Sequence, residues 1–232
     1  MIICPLSLDE CNKRIILRPK TAFLMTPSKT KRNDALKRVI SRISSELKRQ
    51  GFNSLDGCSL VELGGTVCKI CSTIQGCAIG IGFYHPDIPV DAVSNIFWEM
   101  GMLQGWGRPA LLVANKKENL PSDFTGESCI FYEDDNRYIS KFRDLVTGFK
   151  GRENYYVDIL AGQAIRTADY EKAIKYYQEA YLISGNRQIL NKMRKLKEDL
   201  EARRVPIKLR TRLINAINSF QKYARYKEGT KR

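Results

Sequence analysis

Glu99 is a single acidic residue among apolar neighbours in the sequence, and such neighbours can change the pKa of a carboxylate. It stands within residues 96–102, where the other residues are apolar or glycine, and their spacing predicts a helix. Gly105, Gly107 and Pro109 follow and end that helix. Burial against apolar groups raises the pKa of a carboxylate and prepares it to act as an acid or a pocket nucleophile. The alternative is that Glu99 faces water while its neighbours face the core.

A second group of polar residues follows the first predicted strand. The apolar run at residues 21–25 predicts a buried strand, and Thr26, Pro27 and Ser28 come next as a turn. Ligands bind at the carboxyl ends of strands in open parallel sheets, so we expect this turn to form a pocket wall. With Lys29 and the first amides of the following helix it would meet a phosphate, although it is not a glycine-rich phosphate loop.

The cysteine pattern favours core thiols over a metal centre. The chain has seven cysteines, an odd number, which fits reduced thiols better than a disulfide framework. Cys68 and Cys71 have CxxC spacing, but no second such pair and no paired histidine follows. We therefore predict no metal and no cofactor, while Cys4 and Cys11 leave a metal or redox pair open. His85, the only histidine, is expected at the surface or the rim of a pocket.

Length and charge bound the class of protein. A chain of 232 residues suits one α/β domain with a smaller appendage. It has no apolar run of the length of a membrane span and no signal-peptide pattern, which predicts a cytoplasmic protein without a membrane span. The formal net charge is +14, and residues 186–232 carry 15 basic and 4 acidic side chains, a net charge of +11. The basic character is thus a property of the C-terminal tail.

Strands alternate with helices through residue 149, which predicts an α/β fold with a doubly wound parallel sheet and an α-helical C-terminal extension. The predicted regions are a leader (1–20), an α/β domain (21–150) and a helical domain (151–232). Residues 84–94 are predicted to be a loop. The predicted strands are 21–25, 77–83, 110–114, 129–132 and one within 52–61; the predicted helices of this domain are 34–50, the Glu99 helix, 137–149 and one within 62–75.

Several segments together carry a resemblance to a known superfamily. In chain order they are 25–28 (Met-Thr-Pro-Ser), 95–101 (Asn-Ile-Phe-Trp-Glu-Met-Gly), 107–113 (Gly-Arg-Pro-Ala-Leu-Leu-Val), 120–124 and 130–132. Over about residues 20–149 the chain resembles the nucleoside 2-deoxyribosyltransferase-like superfamily and, more narrowly, its TIR-like nucleotide-binding members. The Glu-x-Gly helix followed by Gly-x-Pro and an apolar strand is moderately specific.

The resemblance implies a flavodoxin-like or Rossmann-like fold and cleavage or transfer of the N-glycosidic bond of a nucleoside, nucleotide or NAD. It gives Glu99 the role of nucleophile, or of stabiliser of charge on the anomeric carbon. Such a bond breaks through an oxocarbenium-like state that a nearby carboxylate can stabilise or trap. Asn95 would then bond the sugar, and Phe97 or Trp98 would stack on the base. The alternative for Trp98 is core packing.

One departure from the superfamily pattern keeps a second function open. The superfamily usually carries an aspartate at the end of the strand before the glutamate helix, and Gly82 stands at about that place. Asp87 or Asp91 would substitute for it, or sugar recognition is lost. The alternative function is therefore a non-catalytic protein that senses a nucleotide and binds nucleic acid or a protein partner through its basic tail.

The helical region resembles a single tetratricopeptide-type hairpin. Small residues at Ala161, Ala173 and Ala180 alternate with Tyr170 and Tyr177, a pattern in which two helices approach closely while aromatic rings fill the groove. One such unit cannot bury its own face, so it must dock on the α/β domain, on the following helices or on another subunit. We therefore expect a homo-oligomer.

Within the basic stretch 187–232 we predict two amphipathic helices, at residues 189–204 and 207–226, on either side of Pro206. A basic helical tail of this kind is a solvated exterior, a nucleic-acid contact, a protein contact or a contact with an anionic membrane. The sequence alone leaves these four readings open.

Overall fold

A five-stranded parallel sheet organises residues 20–150. The computed structural model describes residues 15–57, 67–115, 120, 129–132, 137–202 and 205–225. Contacts divide these residues into two units, Lys20–Lys150 and a second unit that joins residues 15–19 to those from Gly151 onward. In chain order the elements of the first unit are β1 (Arg18–Met25), a 3-10 turn (Lys29–Lys31), α1 (Asp34–Arg49), β2 (Asn53–Asp56), α2 (Val67–Gly76), β3 (Cys77–Tyr84), α3 (Val90–Gly105), β4 (Ala110–Ala114), β5 (Cys129–Phe131) and α4 (Arg137–Asn154).

The strand order is β2-β1-β3-β4-β5, the order of a flavodoxin-like doubly wound sheet. Helices cover both faces. On one face, α1 and α4 meet where Arg143 Nε donates a 3.0 Å hydrogen bond to the buried Glu46 carboxylate. On the other face, residues of α2 and α3 join a core cluster with β1, β3 and β4, which includes Phe23, Ile74 and Met100. The predicted fold class, an α/β sheet flanked by helices with a helical C-terminal region, is confirmed.

Helix α1 shows how local sequence sets these bounds. The Asn33 side chain accepts a 2.8 Å hydrogen bond from the Leu36 amide and so caps the helix N-terminus. Leu36, Ile43 and similarly spaced apolar residues are buried against the sheet. The chain leaves the helix at Gly51, whose φ of +82° strains any residue with a Cβ atom. The predicted helix over residues 34–50 is thus present at its predicted place.

Helix α3 lies unusually close to strand β3. A Cβ atom built on Gly82 would come within 2.5 Å of Met100 Sδ and 3.2 Å of Ile96 Cγ2, and one built on Gly80 would collide with Leu103. All eight residues of β3 are buried. The glycines of β3 therefore serve the close approach of the neighbouring helix.

Three element boundaries differ from those predicted by three residues or more. Strand β1 begins at Arg18, three residues before the predicted start. Residues 90–94, predicted as part of a loop, form the first turn of α3, which Pro89 precedes as N-cap. A proline disfavours helix in the residue before it and suits a helix start, so the actual loop is 85–89. Helix α4 continues to Asn154, beyond the predicted end at 149.

The second unit consists of helices. A π-helical turn (Tyr155–Leu160) follows α4, and then come α5 (Ala161–Arg166), α6 (Tyr170–Ser184), α7 (Arg187–Ala202) and α8 (Ile207–Arg225). The small residues predicted to lie between two helices, Ala161, Ala173 and Ala180, are fully buried. The apolar faces of α7 and α8 are buried as well, for example at Met193 and Ile217.

Some predictions fall on residues outside the described ranges. These are the greater part of the leader, residues 62–66 of the predicted second helix, and most of the polar loop at 115–126. Cys4, Cys11 and Cys58 also lie outside the described residues.

Candidate functional site

The candidate site is the crevice at the carboxyl ends of β1 and β3. The chain moves from β1 to β2 in one direction and from β3 to β4 in the other, so the strand order reverses between β1 and β3. In open α/β sheets ligands bind at such a reversal point, because the two loops diverge and leave a gap. The loop after β1 and the loop after β3 both contribute polar side chains here.

Arg32 ties together the end of β1 and the end of β2. Its Nη2 donates 2.8 Å hydrogen bonds to Thr26 Oγ1 and to Asp56 Oδ2, and its Nε donates a 2.9 Å hydrogen bond to the Pro27 carbonyl. Thr26 Oγ1 in turn donates a 2.6 Å hydrogen bond to Asp56 Oδ1. The Arg32 side chain is only 9% exposed, so this ion pair is shielded from water. Thr26 and Pro27 are held in a fixed conformation at the crevice.

Asn33 joins the loop after β1 to the loop after β3. Its Nδ2 donates a 2.9 Å hydrogen bond to Asp87 Oδ2 and lies 3.2 Å from His85 Nδ1. His85 Nδ1 also lies 3.3 Å from Asp87 Oδ2. The Asn33 amide oxygen caps α1 at the same time, so one side chain fixes both the helix and the far loop. His85 is only partly exposed at this rim.

A line of polar residues on α3 leads from the rim towards the sheet. Lys31 Nζ donates a 2.8 Å hydrogen bond to Asp91 Oδ2, and this interaction lowers the pKa of Asp91. Asp91, Asn95 and Glu99 are four residues apart, so they lie near one another on one side of the helix. Because four residues are slightly more than one turn, each of them is closer to the buried face than the one before it. Because Lys31 belongs to the turn after β1, that side of α3 faces β1. Glu99 therefore lies two turns below Asp91 on α3, between the side that carries Asp91 and the side that is buried on the sheet.

Glu99 is partly buried, and its neighbours on the core-facing side of the helix are apolar. Ile96 and Leu103, its neighbours one helical turn before and after, are buried in the core. In the part of the chain that the structure describes, no side chain donates a hydrogen bond to Glu99 or pairs with it as a cation. Burial alone therefore acts on the carboxylate and raises its pKa to about 7. Glu99 is thus divided between its acid and its ionised form near neutral pH.

Gly82 cannot hold a side chain that reaches the crevice. The space above its Cα is filled by Met100 and Ile96 of α3. An aspartate at this place would meet the helix, so the crevice takes its carboxylates from elsewhere. Asp87 and Asp91 lie at the rim, on the loop and on the first turn of α3 respectively.

The other predicted site residues are less enclosed. Ser28 is exposed, with its hydroxyl 3.2 Å from that of Thr30. Asn95 is exposed one turn above Glu99. Trp98 is 42% exposed, so the alternative prediction that it packs in the core is wrong. Stacking of Trp98 on a base stays a prediction.

Four residues of this site were not predicted from the sequence: Lys31, Arg32, Asn33 and Asp56. Asn33 carried a usable signal, because an asparagine directly before a predicted helix is a typical N-cap. Arg32 and Asp56 carried none, since their pairing depends on β1 and β2 being neighbours.

Among the described residues, no group of three or more His, Cys, Asp or Glu side chains is placed to hold a metal ion. Cys68 and Cys71 belong to α2 and form no disulfide. No helix in the described ranges is both long and apolar enough to cross a membrane.

Comparison of the chain with protein-family models, with curated proteins and with solved structures gives no match. The functional argument therefore starts from the geometry of the crevice.

Proposed function

We propose that this protein cleaves or transfers the N-glycosidic bond of a nucleoside, a nucleotide or NAD, with Glu99 as the nucleophile or as the stabiliser of the oxocarbenium-like state. The observation that carries the proposal is the partly buried Glu99 carboxylate, without a cationic partner among the described residues, two helical turns after Asp91, whose partner Lys31 follows β1. The likeness of residues 95–101 to the nucleoside 2-deoxyribosyltransferase-like motif supports the same role.

The chemistry requires the ionised form of Glu99. In the nucleophilic form of the reaction, a carboxylate oxygen bonds to C1′ of the sugar as the C1′–N bond breaks. The bonding electrons leave with the base: the base of a nucleoside or nucleotide takes up a proton from water, whereas the nicotinamide of NAD leaves as a neutral molecule and needs none. Water then attacks C1′ and releases the sugar in hydrolysis, or a second base attacks in transfer. In the alternative form the carboxylate only faces the positive charge that develops at C1′.

The environment of Glu99 suits this step. A carboxylate among apolar groups attracts a developing positive charge more strongly than one in water, because the effective dielectric constant is lower. The same burial destabilises the ionised carboxylate in the absence of substrate, as its raised pKa of about 7 records. The positive charge that forms on the sugar would stabilise the buried carboxylate in the transition state. An interaction that is stronger in the transition state than in the ground state accelerates the reaction.

The proposal is tested by base release from a panel of nucleosides, nucleoside monophosphates and NAD, followed by chromatography at pH 8. Wild type is compared with Glu99→Gln, which keeps the shape of the side chain and removes its charge. Glu198→Gln, an exposed position of α7, is the matched control. We expect release by wild type and by the control, and loss of at least about 100-fold in Glu99→Gln.

A second candidate function is nucleotide sensing without catalysis. It is favoured by the carboxylates of the crevice: Gly82 cannot supply one, while Asp87 is bonded to Asn33 and Asp91 to Lys31. A site with fewer available carboxylates has a lower affinity for a sugar and fewer groups that could stabilise the transition state. In that case isothermal titration with the same panel detects binding that survives Glu99→Gln, and no base is released by either protein.

A further inference from the structure

Helix α7 carries its charges in two separate sections. Its first part holds Arg187, Lys192, Arg194 and Lys195 with no acidic residue among them, whereas Glu198, Asp199 and Glu201 lie in its last part. Surfaces that only maintain solubility usually intersperse both signs. The first part of α7 is therefore a concentrated source of positive potential.

Helix α8 adds to this source at the same end. Gln221 Nε2 donates a 3.1 Å hydrogen bond to the Leu190 carbonyl, so the last part of α8 lies beside the first part of α7. The two helices, joined by a short connection between Ala202 and Ile207, thus run antiparallel. Lys222 consequently lies next to the basic part of α7 and far from its acidic part. Helix α8 contains no acidic residue.

We define the basic patch as Arg187, Lys192, Arg194, Lys195 and Lys222. All five side chains are exposed.

Nearby carboxylates engage part of the basic patch. Lys192 Nζ donates a 3.0 Å hydrogen bond to Asp158 of the π-helical turn. Glu153 accepts a hydrogen bond from Asn186 at the start of the same surface. Within the described ranges, no carboxylate forms an ion pair with Arg194, Lys195 or Lys222. The positive charges of Arg194, Lys195 and Lys222 therefore face solvent.

We propose that the basic patch binds nucleic acid through its phosphate backbone, without sequence preference. Closely spaced exposed cations bind a polyphosphate by releasing the counterions that surround it. Such contacts position a nucleic acid but do not read its bases. An anionic membrane fits less well, because a membrane-binding helix needs an available apolar face and those of α7 and α8 are buried, at Met193 and Ile217 for example.

The proposal is tested with the full chain and a fluorescein-labelled single strand of mixed sequence, by anisotropy between 50 and 200 mM salt. We expect binding whose logarithmic affinity falls with the logarithm of salt concentration at a slope of about −3, as four to five phosphate contacts require. Arg194→Ala/Lys195→Ala should make the slope shallower by roughly 1.4, and Lys222→Ala by roughly 0.7.

Lys208→Ala is the matched control. It removes the same charge from the same helix, but about 21 Å away along α8 from Lys222, given 1.5 Å per residue. The basic patch is supported if Lys208→Ala leaves the slope unchanged. It is overturned if Lys208→Ala and Lys222→Ala have equal effects, or if wild type does not bind the strand at 50 mM salt. Binding to phosphatidylserine vesicles without binding to the strand also overturns it.

Discussion

Met100 lies directly over Gly82, so closely that a Cβ atom on the glycine would come within 2.5 Å of the methionine sulfur. This contact fixes the depth of α3 on the sheet. Glu99, the residue before Met100, is consequently held about two strand residues, or roughly 7 Å, below the carboxyl edge of β3. The relationship also explains why the strand end carries no acidic residue here.

Restoring an acidic residue at this place should destabilise the protein. In Gly82→Asp the new side chain meets Met100 and Ile96 and brings a carboxylate into a buried strand. We expect a loss of about 3 kcal/mol or more in the free energy of unfolding, measured by urea denaturation. Gly101→Asp is the control, because Gly101 is exposed and a Cβ atom built there would meet nothing within 4 Å. It should change the free energy of unfolding by less than about 1 kcal/mol. Equal effects at the two positions would show that α3 does not pack on Gly82 as described.

Removing the charge of Glu99 should stabilise the protein at high pH. The Glu99 pKa is raised from 4.5 to about 7 in the folded protein, so between these values the folded state holds the proton more tightly than the unfolded state. Its contribution to stability is fully present below pH 4.5 and is lost as the pH rises through 7. Glu99→Gln should therefore be more stable than wild type by up to about 3 kcal/mol at pH 8, and similar to it at pH 4.

Denaturant titrations at pH 4 and pH 8 measure this difference. Glu198→Gln, at an exposed site, should differ from wild type by less than about 0.5 kcal/mol at both pH values. A Glu99→Gln protein that is less stable than wild type at pH 8 would mean that the Glu99 carboxylate has a stabilising partner.

The pH dependence of the reaction separates two roles for Glu99. As a nucleophile or charge stabiliser it must be ionised, so base release should rise about tenfold per pH unit below 7 and level off above it. As a general acid it would have to be protonated, and the rate would be constant below pH 7 and fall about tenfold per pH unit above it. A kcat/KM profile from pH 5 to pH 9 decides between the two, because it reports groups of the free enzyme.

Asn33 should show two separable roles. Asn33→Ala removes both the cap of α1 and the hydrogen bond to Asp87, whereas Asn33→Ser keeps a capping oxygen and loses only the latter. We expect Asn33→Ala to lose about 1 kcal/mol of stability and Asn33→Ser to lose less than half of that. If the hydrogen bond from Asn33 to Asp87 also holds the loop after β3 in place for substrate binding, KM should rise by a similar factor in both variants. A KM that rises only in Asn33→Ala would assign the effect to the helix alone.

Local patterns were sufficient to predict the sheet of this protein. The apolar run Ala110–Ala114 forms β4 with its predicted bounds, because five consecutive apolar residues between turn signals suit a strand buried on both faces. The start of α3 was predicted wrongly, since Val90 and two aspartates near Pro86 and Pro89 resemble a loop when read locally. A proline before a helix and an acidic residue in its first turn favour the helix instead.

The candidate site was predictable only where the chemistry lies in one short segment. Glu99 stands out because its sequence neighbours are also its neighbours on the helix. The partners that shape the crevice lie far apart in the chain, as Arg32 and Asp56 do, or Asn33 and Asp87. Their contacts depend on the strand order, which no local pattern contains. A raised pKa of Glu99 was expected only if Glu99 is buried, and the sequence left open that Glu99 faces water, because the local pattern does not show how the helix is rotated on the sheet.

The measurement that tests the central claim most directly is base release at pH 8 by wild type beside Glu99→Gln, with folding of both confirmed by denaturation. We predict that wild type releases base from at least one nucleoside, nucleotide or dinucleotide, that Glu198→Gln matches it, and that Glu99→Gln releases essentially none. Release that persists in Glu99→Gln would contradict the role of Glu99. No release from any substrate by folded wild type would contradict glycosidic chemistry and favour nucleotide sensing.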